Sequence, residues 1–367
     1  MAGSEHTLLI VGGTARHPGG IEAFCERSAI ALRRHGHWDI TIEPADSAYL
    51  RVGDLFRFAR ALARLWRYRR AKPDHVWVQY GNMPDLAYLV VAKLLGFKVM
   101  VTPHLGANWR SQSNPVLRKI SGLLLRLPDR LALISRTQEQ EIAIEGDVPR
   151  SLIRNFLPEK ILGLNLEDGR QPPNTLQIIH SGRLSEGKGT FLVIEVCARL
   201  RDAGVPFHAR ITGGAEPETF DRLHALIAEH RLEGQVEVLG RIPEDDLLDL
   251  LRQSDVLLHL SRIDSYPLIV LEAMACSVLP VCMELAGARD QVETYGGHVV
   301  SVAHPVEEAA AWLAAQDLDH IRAMAHEAAI GVRRDYSWER CAGALEDALL
   351  ACSNRAPVTV SGSLGAG

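Results

Sequence analysis

The sequence has little with which to build a disulfide framework or a metal site. Its six cysteines, Cys25, Cys197, Cys276, Cys282, Cys341 and Cys352, form no CxxC pair and no cysteine–histidine spacing of a zinc site. They read as small core fillers in a reducing compartment. Long apolar runs are missing as well: the most apolar stretch, 86–101, is interrupted by Lys93, Gly96 and Lys98 and is too short to span a bilayer. No basic start followed by an apolar run and a cleavage site opens the chain, so no signal peptide is expected and a cytoplasmic protein is. No nucleic-acid partner is expected either. With 47% apolar and 23% charged residues the composition is that of a globular protein. A length of 367 residues exceeds the size at which one core stops growing, which predicts two domains.

The net charge of −5 hides an asymmetry. Residues 1–170 carry 24 Lys+Arg against 17 Asp+Glu, about +7, and the remainder 16 against 28, about −12. The first half is the one expected to approach anionic surfaces. Within it, 54–70 has two sides: Leu55, Phe58, Ala59, Leu62, Leu65 and Trp66 at helical spacing, with Arg57, Arg60, Arg64 and Arg67 opposite. Two readings stand open, a basic helix lying on anionic lipid and an ordinary helix whose arginines are solvated.

Apolar runs at 7–11, 75–80, 98–102 and 130–135 read as buried parallel strands alternating with helices. The first is followed by a loop ending in Pro18-Gly19-Gly20 and a helix over 21–35. Gly19 and Gly20 allow close backbone approach to a ligand at a helix start that favours anions. Glu22 is either an acceptor contact or an exposed first-turn acid. A dinucleotide-binding loop with Glu43 as the ribose acid is a competing reading, although GGTARHPGG is not GxGxxG. His104, just after a strand, is placed either to reach a ligand or to serve as a structural histidine. Residues 159–174 have linker composition, and strands resume at 176–180, 208–212, 235–239 and 256–260.

Two motifs in the second half carry chemistry. In 181–189, SGRLSEGKG, Arg183 and Lys188 stand five apart in a glycine-punctuated loop, so both cations can face one pocket, which suits a diphosphate. In 261–281, SRIDSYPLIVLEAMACSVLPV, Asp264 and Glu272 stand eight apart. If 268–275 is a helix, both acids lie near its N-terminus, whose free amides suit a phosphate or a sugar while the carboxylates accept from hydroxyls. The plain alternative is a solvated Asp and a first-turn Glu.

At these residues the chain resembles the retaining, nucleotide-sugar-dependent glycosyltransferases of family 4. Their signature of an acid, seven residues, then Glu in an E-A-M-A run is met by Asp264 and Glu272-Ala273-Met274-Ala275, and their Gly-Arg, four residues, Lys-Gly by Gly182-Arg183 and Lys188-Gly189. The chain departs from that pattern at Asp264 (usually Glu), Ser265 (usually Gly) and Arg154 (usually Pro), and 276–280 is one residue longer. The resemblance implies an α/β fold of the GT-B type, two Rossmann-like domains with parallel sheets facing across a cleft. It divides the chain into an acceptor domain (1–160), a linker (161–174), a nucleotide-sugar domain (175–335) and a crossover helix (336–352); 353–367 reads as a disordered tail.

The resemblance further implies transfer of a hexose from a UDP- or GDP-sugar to a hydroxyl of a glycan acceptor, lipid-linked in polysaccharide synthesis, without cofactor or metal. Arg183 and Lys188 would hold the departing diphosphate and Glu272 the ribose. Asp264, with amides near Ser265, Tyr266 and Leu268, would hold the sugar. His104 and the Gly19-Gly20 loop would close from the first domain, Gly213 would lie near the nucleotide, and Arg241 and Ile242 would pass the base. Two other classes remain, a nucleotide-sugar epimerase of similar shape and a nucleotide-sugar-binding protein without turnover.

Overall fold

The computed structural model describes residues 6–13, 19–47, 55–166 and 174–352. Contacts divide the chain into two compact units, one running to Arg154 and resuming at Glu339, the other spanning Asn155–Trp338.

The first unit is built on six parallel strands: β1 (His6–Val11), β2 (Trp38–Glu43), β3 (His75–Tyr80), β4 (Val99–Pro103), β5 (Arg130–Leu133) and β6 (Arg150–Leu152), in the order β2-β1-β3-β4-β5-β6. Every residue of β3, β4 and β5 is buried, because helices cover both faces of a parallel sheet. The order reverses between β1 and β3, and ligands of open α/β sheets gather beyond the strand ends at such a point. The last described helix, Trp338–Leu350, belongs to this unit from Glu339 onward. Trp38 donates to Glu346 at 2.7 Å, the His35 ring lies 3.0 Å from the same carboxylate, and Arg130 donates to the Ala351 carbonyl at 3.3 Å.

The second unit repeats the plan with β7 (Leu176–Ser181), β8 (Phe207–Thr212), β9 (Val236–Gly240), β10 (Val256–His259), β11 (Leu279–Met283) and β12 (His298–Val300), all parallel, in the order β12-β11-β10-β7-β8-β9. Here the reversal falls between β7 and β10. Asp255, fully buried at the foot of β10, fixes that pair: it accepts from the Gln177 backbone N–H at 2.8 Å and from Arg322 Nε at 3.0 Å.

Several expectations change on contact with the structure. The 54–70 segment is not one helix. It divides into Leu55–Leu65 and a single turn, Tyr68–Ala71, closed by Lys72 at φ 44°. Ala61 and Leu65 are buried and Phe58 and Leu62 pack on the same core, but Leu55, Ala59 and Trp66 are exposed, since the break carries Trp66 off the buried stripe. Arg60 and Arg67 are exposed and Arg57 is half-buried. Arg64 leaves the solvated face: its Nε lies 3.3 Å from Glu43 and its Nη2 donates to the Pro44 carbonyl at 3.2 Å. Glu43 also accepts from the Tyr68 hydroxyl at 2.8 Å, so the acid that mimicked a ribose-binding group is engaged within the protein. Part of the expected linker is ordered, because Glu159–Leu162 is a helical turn with Ile161 buried. Gly169, Pro172, Pro173 and the 353–367 tail lie outside the described residues.

Asp255→Ala removes the acceptor that the Gln177 amide and Arg322 Nε share at the β7–β10 junction. Its expected cost is about 3 kcal/mol, read as a lowered midpoint in chemical denaturation with an unchanged slope.

Candidate nucleotide-sugar site

Because β7 and β10 are neighbours at the reversal, the loops that leave them are forced together although some 80 residues of chain separate them. Backbone contact joins them directly. Arg262 N–H donates to the Gly187 carbonyl at 2.9 Å, and Gly189 takes φ 72° where a Cβ would lie 2.0 Å from the Leu260 carbonyl oxygen. Only glycine meets both demands. Helix Thr190–Asp202 starts directly after it.

A buried relay fixes the same junction. Ser185 N–H donates to Thr190 Oγ1 at 3.1 Å, Thr190 Oγ1 lies 3.1 Å from His180 Nε2, and His180 Nδ1 lies 2.9 Å from the Leu258 carbonyl. A carbonyl only accepts, so His180 carries its proton on Nδ1 and takes the threonine hydroxyl on Nε2. Burial pushes its pKa down to about 4.

This construction puts Lys188 on Asp264. Their ammonium and carboxylate groups are in direct contact, and His259 Nε2 lies 3.0 Å from the other carboxylate oxygen. Burial raises the Asp264 pKa, but His259 and Lys188 outweigh it and hold the group well below the usual carboxylate range. Asp264 is therefore ionised and gripped from two sides, where the sequence suggested an acid free for a sugar. His259, only 4% exposed, was not found from sequence; at the end of the apolar run VLLH it carries no motif, and only its proximity to Asp264 marks it.

Helix Leu268–Ala275 begins after Pro267 without a side-chain cap. Glu272 is its fifth residue and so lies in the second turn, about 6 Å along the axis from the first, rather than at the N-terminus as the spacing suggested. It is half-buried. Asp264 reaches that end of the helix through the loop. Ser265 is held by backbone packing, since a Cβ at Gly287 would lie 1.5 Å from its carbonyl oxygen. The Tyr266 hydroxyl is hydrogen-bonded to that of Tyr336, so it supports the loop rather than standing open.

Of the remaining residues in this unit, Arg183 is exposed on the loop after β7. Gly213, at φ 149°, would place a Cβ 1.6 Å from the Gly182 carbonyl oxygen, so it seats the 182–184 backbone against the end of β8. Arg241 is exposed and Ile242 half-buried in the turn after β9, the edge strand.

In the first unit, His104 follows β4, with Nε2 2.8 Å from Gln79 Oε1, its ring edge-to-face with Phe24 at 5.1 Å, and a pKa pushed by burial down to about 4. It is neutral near pH 7. Gly20 opens helix Gly20–His35. Gly19 has φ −152°, an extended conformation open to any residue, and its N–H donates to Glu22 at 2.8 Å. Glu22 thus caps its own helix.

Comparison with known proteins bears on this arrangement. Residues 165–320 match the model of glycosyl transferases group 1. This segment, less than half of the chain, is similar to group 1 glycosyl transferases. The chain is similar to the phosphatidylinositol N-acetylglucosaminyltransferase GPI3 subunit of Saccharomyces cerevisiae, 24% identical over 222 residues, covering 57% of this chain and 48% of the relative. It is also similar to the putative colanic acid biosynthesis glycosyltransferase WcaL of Escherichia coli, 34% identical over 130 residues, covering 34% of this chain and 32% of the relative. The chain therefore spans half or less of the length of these relatives. Among solved structures, Anabaena Alr3699/HepE in complex with UDP and glucose superposes with a TM-score of 0.74 at 16% identity, covering 95% of this chain and all of that one. That likeness establishes the GT-B type of fold, two six-stranded parallel α/β units. The group 1 segment holds Arg183, Lys188, His259, Asp264 and Glu272 together.

The His180 relay has a pH signature. An unfolded histidine protonates near pH 6.5 and the folded one near 4, so the unfolded chain binds the extra proton between those values. Stability from this residue is present above about pH 6.5 and falls by on the order of 3 kcal/mol as pH drops through about 4. A His180→Gln variant should show a shallower decline of denaturation midpoint with acidification.

Proposed function

We propose that the protein is a retaining, family 4 type hexosyltransferase that moves a hexose from a UDP- or GDP-sugar to a hydroxyl of a glycan acceptor, lipid-linked and presented at the cytoplasmic face of a membrane. The observation that carries this reading is the union of the two loops at the β7–β10 reversal, with Lys188 resting on Asp264 beside the N-terminus of helix Leu268–Ala275. The group 1 match supports donor chemistry of this kind, as do the UDP and glucose in the HepE complex and the glycan-building names of the relatives.

In this reading the resting pair is a place-holder. An arriving diphosphate offers Lys188 a second anion, and Arg183, exposed on the same loop, adds a guanidinium suited to phosphate oxygens. Asp264, still held by His259, then accepts from sugar hydroxyls, and Glu272 accepts from the ribose. As the glycosidic bond to the diphosphate breaks, negative charge grows on the leaving oxygen, where the two cations and the helix amides stabilise it. These groups do the work that a divalent ion does elsewhere, so turnover should persist in chelator. Neutral His104, at the end of β4, is suited to a hydrogen bond rather than to a charge.

Thermal shift across UDP- and GDP-sugars should show stabilisation by at least one donor, and labelled donor with lipid-linked glycan acceptors should show transfer. Lys188→Ala is expected to lower kcat about 10²-fold or more. An unchanged rate removes the leaving-group assignment, no stabilisation by any donor removes the whole reading, and an epimerised donor without acceptor replaces transfer with epimerisation.

A further inference from the structure

Gln79, the penultimate residue of β3, is 1% exposed, and its amide nitrogen has no hydrogen-bond partner among the described residues. A buried polar group left half-paired is costly, and a methionine or leucine would fill the same space without that cost. The fold nevertheless makes room for it. Gly12, just beyond β1, lies where a Cβ would sit 2.3 Å from Gln79 Cγ and 2.5 Å from its Cβ. No larger residue can stand at position 12 while Gln79 keeps its place.

What the glutamine supplies is its carbonyl. Oε1 lies 2.8 Å from Nε2 of His104 and is the ring's hydrogen-bond partner among the described residues. The histidine is fixed at two further points. Its backbone N–H donates to the Tyr80 carbonyl at 2.8 Å, and Phe24 of helix Gly20–His35 meets the imidazole edge-to-face at 5.1 Å while also meeting Trp77 at 5.4 Å. Trp77 in turn donates to Thr102 of β4 at 2.8 Å. Burial keeps the imidazole neutral near pH 7, and a neutral imidazole carries one proton. Facing a carbonyl oxygen, that proton belongs on Nε2, which leaves Nδ1 a bare lone pair. His104 is half-buried in the loop after β4, beyond the carboxyl end of a strand, where ligands of open sheets gather.

We infer that Gln79 is a positioning residue: it locks His104 as the Nε2–H tautomer, so that Nδ1 accepts a hydrogen bond from a sugar hydroxyl. The chemistry is selective. A hydroxyl donates to a lone pair, whereas ionised phosphate and carboxylate oxygens bring lone pairs of their own and are turned away. A sugar carried on a nucleotide and a sugar of an acceptor present the same hydroxyl chemistry, and titration separates the two sources. The inference rests on the proposed function for the sugar but not for the tautomer, which is a property of the free protein.

The test is nitrogen-15 NMR of the full chain labelled at histidine, with the His104 signals identified among the 15 histidines by their loss in His104→Gln. The free protein at neutral pH should show a protonated Nε2 and an unprotonated Nδ1. Gln79→Met, close in size but without an acceptor, should release the proton to Nδ1 or to a mixture, and Gln79→Glu, which keeps an oxygen in place, should hold it on Nε2. Nδ1–H in the wild type, as an amide turned end for end would produce, overturns the inference, and so does a tautomer that Gln79→Met leaves unchanged. Should the methionine variant fold poorly, the wild-type tautomer alone decides the lock. For recognition, UDP, UDP-glucose, GDP-mannose, free glucose and free mannose are titrated in turn. The Nδ1 signal should move with a sugar-bearing ligand and stay still with UDP, and Gln79→Met should weaken binding of that ligand by about ten-fold with UDP affinity unchanged. Movement with a sugar nucleotide alone assigns the hydroxyl to the donor, and movement with a free sugar assigns it to the acceptor. A still Nδ1 signal while UDP-glucose or GDP-mannose binds overturns the recognition. If no nucleotide and no sugar nucleotide binds, the proposed function falls, while the Gln79 lock stands or falls on the spectra of the free protein.

Discussion

The Leu260 carbonyl and Gly189 cannot be moved apart without dissolving the site. A Cβ at position 189 would sit 2.0 Å from that oxygen, and the Arg262–Gly187 hydrogen bond locks the same two backbones at 2.9 Å. Everything that makes the second unit chemically interesting follows from this contact. It places the ammonium of Lys188 against Asp264, brings His259 behind that carboxylate, and leaves the uncapped start of helix Leu268–Ala275 beside them. The underlying constraint is topological: strand order reverses between β7 and β10, so the chain leaving each must run in opposite directions and opens a crevice there.

This explains what could be read from sequence. Arg183 with Lys188 and Asp264 with Glu272 were recognisable because glycine spacing and helical spacing leave marks in the letters, and the buried strands announced themselves as short apolar runs. The pairing of Lys188 with Asp264 left no mark, because which cation meets which acid depends on strand order. His259 was invisible for a related reason. A histidine ending an apolar strand looks like any other strand residue until the loop beyond it folds back. Glu272 was legible as an acid on a helix, but its distance from the helix start was not.

The first unit was less legible, and for local reasons. Hydrophobic spacing over 54–70 fits one helix, yet a turn at Trp66 and Arg67 divides it and the Arg64–Glu43 contact turns an arginine inward. Periodicity records which residues prefer to be buried and says nothing of a cation drawn to a carboxylate at the end of the adjacent strand. Helix Pro115–Leu124 turns its apolar stripe outward and buries two small residues instead, Ser121 against the Tyr80 hydroxyl of β3 and Gly122 against Ala143 and Glu145.

The first unit is discontinuous, and this matters for how the molecule is made. Its last piece, helix Trp338–Leu350, is held by Glu346 to Trp38 and His35, and the backbone just after it by Arg130. During synthesis the ribosome delivers residues 6–154, then the entire second unit, and only then the segment that completes what came first. The nascent amino-terminal sheet must therefore wait with the Trp38 indole lacking its Glu346 acceptor and Arg130 Nη2 lacking the Ala351 carbonyl, a window in which chaperones would find their client. A chain cut within its final helix would damage the unit most remote from the cut in sequence.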